Sequence, residues 1–135
     1  MIVSAAEFIE LVRASDPAVT ARIRVDSAPT AVWLDVLRLY PDEAALVAMN
    51  KTLPVVVMEA LLGTDDTRAR FIVAQKRRLP TELVDRLATD TDEGIRLAAA
   101  RHRNASRSTL ERLKGDAWSE VRSAATARLE KMEEA

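Results

Sequence analysis

The residues of this chain with the clearest chemical potential are basic, and they recur at a fixed spacing. Lys51, Arg77 and Arg103 stand 26 positions apart, and Lys76 and His102 form a second set with the same spacing. Cations repeated in this way can bind the carboxylates of an acidic protein surface or the phosphates of a nucleic acid. The spacing predicts a basic ridge if the fold brings these positions together.

Other candidates for binding lie close to these positions. Arg78, Arg101 and Arg107 flank the recurring cations. Trp118 lies in a predicted turn, where it either covers the end of the structure or anchors a partner, as Trp often does at interfaces. The tentative binding residues are Lys51, Lys76, Arg77, Arg78, Arg101, His102, Arg103 and Trp118.

A structural interpretation of the same cations competes with the functional one. Lys and Arg near the end of a helix complement its dipole and solvate the following turn without any partner. Under the functional interpretation, an acidic protein surface is favoured over nucleic acid. The formal net charge is only −1, and no aromatic residues interleave with the cations as a base-stacking surface requires. Both interpretations remain open from sequence.

Catalytic and cofactor chemistry is disfavoured by composition. The chain has no Cys, which excludes disulfides, iron–sulfur clusters and thiolate zinc sites. Its single histidine, His102, is too little for an ordinary zinc site and has no Ser or Cys partner that spacing identifies. No glycine-rich phosphate loop is present. We therefore predict no enzyme activity, no cofactor and no metal.

The composition also bears on membranes and localisation. The longest apolar runs, such as residues 53–58, are far shorter than a membrane span. Glu7 and Glu10 interrupt the pattern of a secretory signal. These features predict a soluble, cytoplasmic protein without membrane contact, while the oligomeric state stays open.

The candidate residues are positioned by an internal repeat of 26 residues. Residues 69–94 and 95–120 share one pattern, and a third copy begins at Val121. Such a period predicts stacked helical hairpins whose inward columns align from one copy to the next. The predicted inward columns are Met58, Val84 and Leu110; Leu61, Leu87 and Leu113; Ile72, Ala98 and Ala124; and Val73, Ala99 and Ala125.

Helix-start and helix-stop residues predict an all-α chain with no sheet. Helices are expected at 4–14, 17–25, 29–39, 41–49, between Pro54 and Gly63, and at 66–76, 81–88, 92–102, 107–114 and from 119 onward. Asn50 is able to take a left-handed cap position at the end of the helix over 41–49. We also expect one domain over 1–135: a degenerate N-terminal cap repeat (1–28), repeats (29–129) and a frayed tail (130–135).

Polar residues recur with the apolar ones. Asp90 lies six positions before Arg96, and Asp116 lies six before Arg122. An Asp in such a turn can accept hydrogen bonds from a helix N-terminus or from a neighbouring Arg. The pattern predicts an Asp-to-Arg ladder that ties adjacent copies together.

This Asp-turn-Arg pattern, with apolar helices such as residues 95–101, resembles HEAT-like repeats. The unit VR-x-A-A-x-A-R, followed by L-x-x-L and an acidic turn, is still more similar to the variant leucine-rich repeat of bacteria, over roughly residues 29–129. The N-x-x-[TS]-P motif of that repeat is nearly present at 50–54 and incomplete elsewhere. Some variant-repeat proteins carry an iron–sulfur segment, which a chain without Cys cannot hold. The resemblance implies a right-handed, armadillo-like α-solenoid of about four to five helix pairs.

A repeat array with a basic edge favours a non-catalytic protein-interaction module. Its partner would be another protein with an acidic surface, and a dedicated inhibitor such as an immunity protein belongs to this class. The alternative is nucleic-acid binding through the basic ridge. A third class is a structural piece that assembles only with copies of itself.

Overall fold

A computed structural model describes residues 1–134, which are helical and contain no strand. The prediction of an all-α fold is confirmed over this range. The helices are α1 Ala5–Arg13, α2 Pro17–Thr20, α3 Arg22–Val25, α4 Thr30–Leu39, a 3-10 helix Pro41–Glu43, α5 Ala44–Ala48, α6 Val55–Leu62, α7 Thr67–Ala74, α8 Thr81–Leu87, α9 Glu93–Arg101, α10 Arg107–Leu113 and α11 Ser119–Glu134. Across the described residues, no helix is long and apolar enough to span a membrane.

Side-chain caps start several of these helices. Ser4 Oγ accepts the Glu7 N–H of α1 at 3.0 Å. The Glu7 carboxylate accepts the Val3 N–H at 3.1 Å, whereas in a standard capping box it would accept the N–H of Ser4. Asp92 and Ser106 cap α9 and α10 in the same manner, each accepting an N–H three residues ahead.

Two elements differ from the prediction. The helix expected over 17–25 is interrupted at Ala21, giving the short helices α2 and α3. The helix expected over 41–49 begins instead with the 3-10 turn Pro41–Glu43 and continues as α5. The charged segment from residue 130 is helical as far as Glu134, and Ala135 lies outside the described residues. Fraying of this tail stays a prediction.

The left-handed cap that Asn50 could take does not form, because no non-glycine residue of the described chain has a positive φ. Asn50 is fully buried instead. Its amide nitrogen donates to the carbonyls of Ile23 and Asp26 at 2.7 and 2.8 Å, and its Oδ1 accepts the Thr52 N–H at 2.8 Å. A buried amide with partners on both sides stabilises ordinary backbone geometry, so no left-handed residue is needed here.

The chain divides into two compact units, Met1–Val73 and Ala74–Ala135. In unit 1, α1 packs against α2, α3 and α4, and α4 packs against α5 and α6. Phe8 and Trp33 meet edge to face at the centre, with ring centroids 5.9 Å apart. Both rings are fully buried and form the largest apolar block of this unit.

In unit 2, α9 packs against α8, α10 and α11, and α10 packs against α11. The predicted columns through Leu87, Leu110 and Ala125 are buried here, as are Met58 and Leu61 in unit 1. The column through Ala98 and Ala124 is only partly buried. Residues chosen by helical periodicity therefore form the core within each unit.

Candidate functional site

Four exposed arginines of unit 2 lie in two segments, residues 75–80 after α7 and residues 101–106 at the end of α9. We call these segments the basic turns. They carry Arg77, Arg78, Arg101 and Arg103, all exposed, and contain no acidic residue. These segments therefore carry a local excess of positive charge even though the whole chain is nearly neutral.

Hydrogen bonds join the two basic turns to each other. His102 Nε2 lies 2.7 Å from the Lys76 carbonyl oxygen. Asn104 Nδ2 donates to the carbonyls of Leu79 and Arg77 at 2.9 and 3.3 Å. These side chains bridge residues 25 to 27 positions apart and hold Arg77 and Arg103 on neighbouring loops.

The tautomer of His102 follows from its partners. The Asn104 N–H donates to His102 Nδ1 at 3.0 Å, so Nδ1 is the accepting nitrogen. Nε2 therefore carries the proton and donates it to the Lys76 carbonyl. The ring therefore braces the two turns, and both of its nitrogens are occupied within the protein.

A side chain of α11 supports the second basic turn, residues 101–106. Arg128 Nη1 donates to the His102 carbonyl at 2.7 Å and reaches the Ala100 carbonyl at 3.5 Å. A guanidinium group thus satisfies the carbonyls left free at the end of α9. Asp85 of α8 adds a second support, because its Oδ1 accepts both the N–H and the hydroxyl of Ser106.

The predicted binding residues of unit 2 fall into two groups. His102 is 8 % exposed and Lys76 is half-buried, and burial lowers the pKa of the Lys76 ammonium. Arg77, Arg78, Arg101 and Arg103 are exposed. None of the four guanidinium groups has a hydrogen bond or ion pair with another of residues 1–134. The arginines are therefore available to a partner, whereas His102 serves the scaffold.

Lys51 lies in unit 1, where its side chain is exposed. Its backbone N–H donates to the carbonyl of Arg24 at 2.8 Å. Arg24 is exposed as well, so unit 1 has a basic pair of its own. The sequence prediction missed Arg24, although it stands 26 positions before Asn50 in the same register.

Trp118 lies half-buried in the turn between α10 and α11. Its backbone N–H donates to Asp116 Oδ2 at 2.9 Å. Its backbone carbonyl accepts the N–H groups of Val121 and Arg122 at 3.1 and 3.2 Å. The Trp118 backbone thus starts α11. Its indole retains enough accessible surface for either of its two predicted roles, the cover or the anchor.

One contact of the predicted Asp-to-Arg ladder, between Arg96 and Asp116, lies in unit 2. Arg96 binds both carboxylate oxygens of Asp116 at 2.8 and 3.3 Å and donates to the Asp90 carbonyl at 2.9 Å. Arg122 repeats the second contact, donating to the Asp116 carbonyl at 2.8 Å. The hydrogen bond from Arg96 lowers the pKa of Asp116, and burial opposes it. These charges are used to fasten turns together.

Metal-ligating residues do not converge in the described chain, since no group of three His, Asp or Glu side chains could share an ion there. The chain matches no model of a protein family, and comparisons with curated proteins and with solved structures likewise give no match. The candidate site is therefore defined by its geometry: braced turns that present unpaired arginines.

Proposed function

We propose that the chain is a non-catalytic protein-binding module that uses the basic turns to bind an acidic surface of another protein. The observation that carries the proposal is the set of four exposed guanidinium groups on turns that hydrogen bonds tie together. Arginine suits this role because its planar fork binds carboxylates in a bidentate manner. Bracing of the turns reduces the entropy lost when a partner binds.

The architecture that we propose for this module is a right-handed α-solenoid of four to five helix pairs with a 26-residue period, similar to HEAT-like and variant leucine-rich repeats. Hydrogen bonds across one period support it: Asn50 to Ile23 in unit 1, and His102 to Lys76 and Arg128 to His102 in unit 2. Stacked repeats supply an extended binding surface without a deep pocket. A dedicated inhibitor, such as an immunity protein, is one form that this function takes.

Nucleic-acid binding is the second candidate, because unpaired guanidinium groups also fit phosphates. Proteins that hold single strands without sequence preference add aromatic side chains on which bases stack. Trp118 is the sole Trp, Tyr or Phe between residues 74 and 134, and it lies in a different turn from the arginines. The scarcity of stacking groups favours a protein partner.

The proposal is tested by reversing charge in the basic turns. The immobilised chain is used to capture its partner from the source organism, and the purified partner is titrated against wild type and the double variant Arg77→Glu/Arg103→Glu. We expect the double variant to bind about tenfold more weakly or worse, a loss of about 1.4 kcal/mol. The free energy of unfolding should change by less than about 0.5 kcal/mol because both side chains are exposed.

The matched control is Arg86→Glu/Arg112→Glu, which changes net charge equally at exposed arginines of α8 and α10, outside the basic turns. This variant should bind the partner as wild type does. Equal affinity of wild type and the Arg77→Glu/Arg103→Glu variant would contradict the proposed site. Equal weakening by both double variants would mean that only net charge matters.

A further inference from the structure

Unit 1 contains an apolar hollow that the basic turns do not involve. Its volume is about 430 Å³, and its apolar walls include Val12, Ile23, Leu46 and Met49, contributed by α1, α3, α5 and the residue that follows α5. Ala21 and Arg24 complete the rim. Ligand pockets in proteins occupy about 300–1,000 Å³, so this hollow has room for one bulky side chain.

The walls suit an adaptable apolar contact. Val12, Leu46 and Met49 are each partly exposed, so covering them would remove apolar surface from water. Met49 is unbranched and polarisable, which lets it adjust to side chains of different shape. Interfaces concentrate their binding energy where a large side chain fills such a hollow.

The charge of the rim selects the kind of occupant. Arg24 lines the hollow and is exposed, and the Lys51 N–H bonds to the Arg24 carbonyl at 2.8 Å. Neither side chain pairs with a carboxylate of the described residues. The nearby Asp16 carboxylate accepts the Ala18 N–H at 2.9 Å and caps α2. The unpaired Arg24 at the hollow, with Lys51 on the adjoining backbone, complements an apolar group that carries negative charge next to it.

We propose that this hollow docks a bulky apolar side chain of a partner protein, preferably Phe or Leu, followed directly by acidic residues that pair with Arg24 and Lys51. This proposal rests on the proposed function, because its occupant is a protein. It uses residues of unit 1 only, whereas the proposed function uses arginines of unit 2. Different substitutions therefore test the two sites.

The probe for this site is a labelled peptide of sequence Gly-Gly-Phe-Glu-Glu-Gly, titrated by fluorescence anisotropy. We expect a dissociation constant below about 1 mM. Replacing Phe by Ala, or both Glu by Gln, should weaken peptide binding about tenfold, since each change removes one half of the complementarity. Ala21→Leu should block the hollow, and Arg24→Glu should repel the acidic residues, each with a similar loss.

The matched controls are Ala18→Leu and Arg68→Glu, the same changes at exposed positions of unit 1 that do not line the hollow. Both should bind the peptide as wild type does, with helical content and melting temperature checked for every variant. Absent peptide binding, or binding insensitive to Ala21→Leu or Arg24→Glu, would overturn the proposal. Binding of 3-phenylpropionate as tight as that of the peptide would overturn it too, because the hollow would then be a small-molecule site.

Failure of this inference and failure of the proposed function give different results with the purified partner. If Arg77→Glu/Arg103→Glu weakens the complex while Ala21→Leu does not, the result supports the basic turns as the binding site and contradicts the docking hollow. The reverse pattern would retain the docking hollow and remove the basic turns from the interface.

Discussion

At the scale of single residues, three different side chains at equivalent repeat positions make the same kind of hydrogen bond. Asn50, His102 and Arg128 share the 26-residue register, and each donates to a backbone carbonyl 26 or 27 positions earlier. An amide, an imidazole and a guanidinium group all serve, because the carbonyl requires only a donor that reaches it. The sequence predicts a cap at Asn50 and a binding role for His102, because residue type alone does not show whether a polar side chain points inward.

The Arg96–Asp116 pair gives a pH-dependent prediction at this scale. The two side chains are 17 % and 8 % exposed, and Arg96 lowers the pKa of Asp116 below the value of an unfolded Asp. The unfolded chain therefore binds this proton more readily, so the pair adds stability above an unfolded pKa of about 3.9 and loses it as pH falls through the lower, folded pKa. Asp116→Asn should destabilise the protein by about 1.5–3 kcal/mol at pH 7.

Urea unfolding of wild type and Asp116→Asn between about pH 7 and pH 2.5 measures this contribution. The difference between the two proteins should shrink at the acid end of the range. Asp65→Asn, at an exposed carboxylate of unit 1, serves as the control and should leave the curve unchanged. A constant difference at every pH would show that the ionised Asp116 contributes nothing through its charge.

At the scale of elements, core positions follow from periodicity. Leu87 of α8 is 2 % exposed and lies in a predicted inward column. Leu87→Ala should cost about 2–5 kcal/mol of unfolding free energy, from lost burial and the cavity that remains. The neighbouring exposed change Arg86→Ala should stay within about 0.5 kcal/mol. Denaturant unfolding gives both values, and a loss below about 0.5 kcal/mol for Leu87→Ala would contradict the predicted register.

The sequence predicts the longer helices to within two residues at each end, because apolar period and end caps agree there. Examples are α4, α8, α9 and α10. It fails at α2, α3 and the 3-10 helix Pro41–Glu43, which have four, four and three residues. Such short elements depend on packing more than on local propensity, so their sequences carry little signal. The candidate site is also predictable only in part. The exposed arginines follow from the sequence, but the hydrogen bonds that brace their turns come from residues 25 to 28 positions away.

At the scale of the whole molecule, net charge conceals how charge is distributed. In unit 2, α9 begins at an acidic segment containing Asp90, Asp92 and Glu93, and it ends at Arg101 in a basic turn. The arrangement complements the helix dipole and places opposite charges at opposite ends of one helix. A chain of net charge −1 can thus present a strongly basic local surface.

This distribution gives a prediction about salt. Association with the protein partner should slow as ionic strength rises, while the dissociation rate changes little, because exposed charges act mainly on encounter. A random 20-base-pair duplex should not bind more tightly than about 100 µM at 50 mM salt. Surface plasmon resonance measures the two rates for the protein partner and the affinity for the duplex. Tight duplex binding with a steep salt dependence, abolished in Arg77→Glu/Arg103→Glu, would instead favour the nucleic-acid function.

The placement of the chain's two indole rings has a practical consequence. Trp33 is fully buried against Phe8 in unit 1, and Trp118 lies partly in solvent in unit 2. Their fluorescence should differ in colour and in access to a soluble quencher, so each half of the chain carries its own optical reporter. Trp33→Phe, which also removes an indole N–H without a partner among the described residues, leaves a single emitter. Melting curves of the two emitters would show whether the halves unfold in one step or in succession.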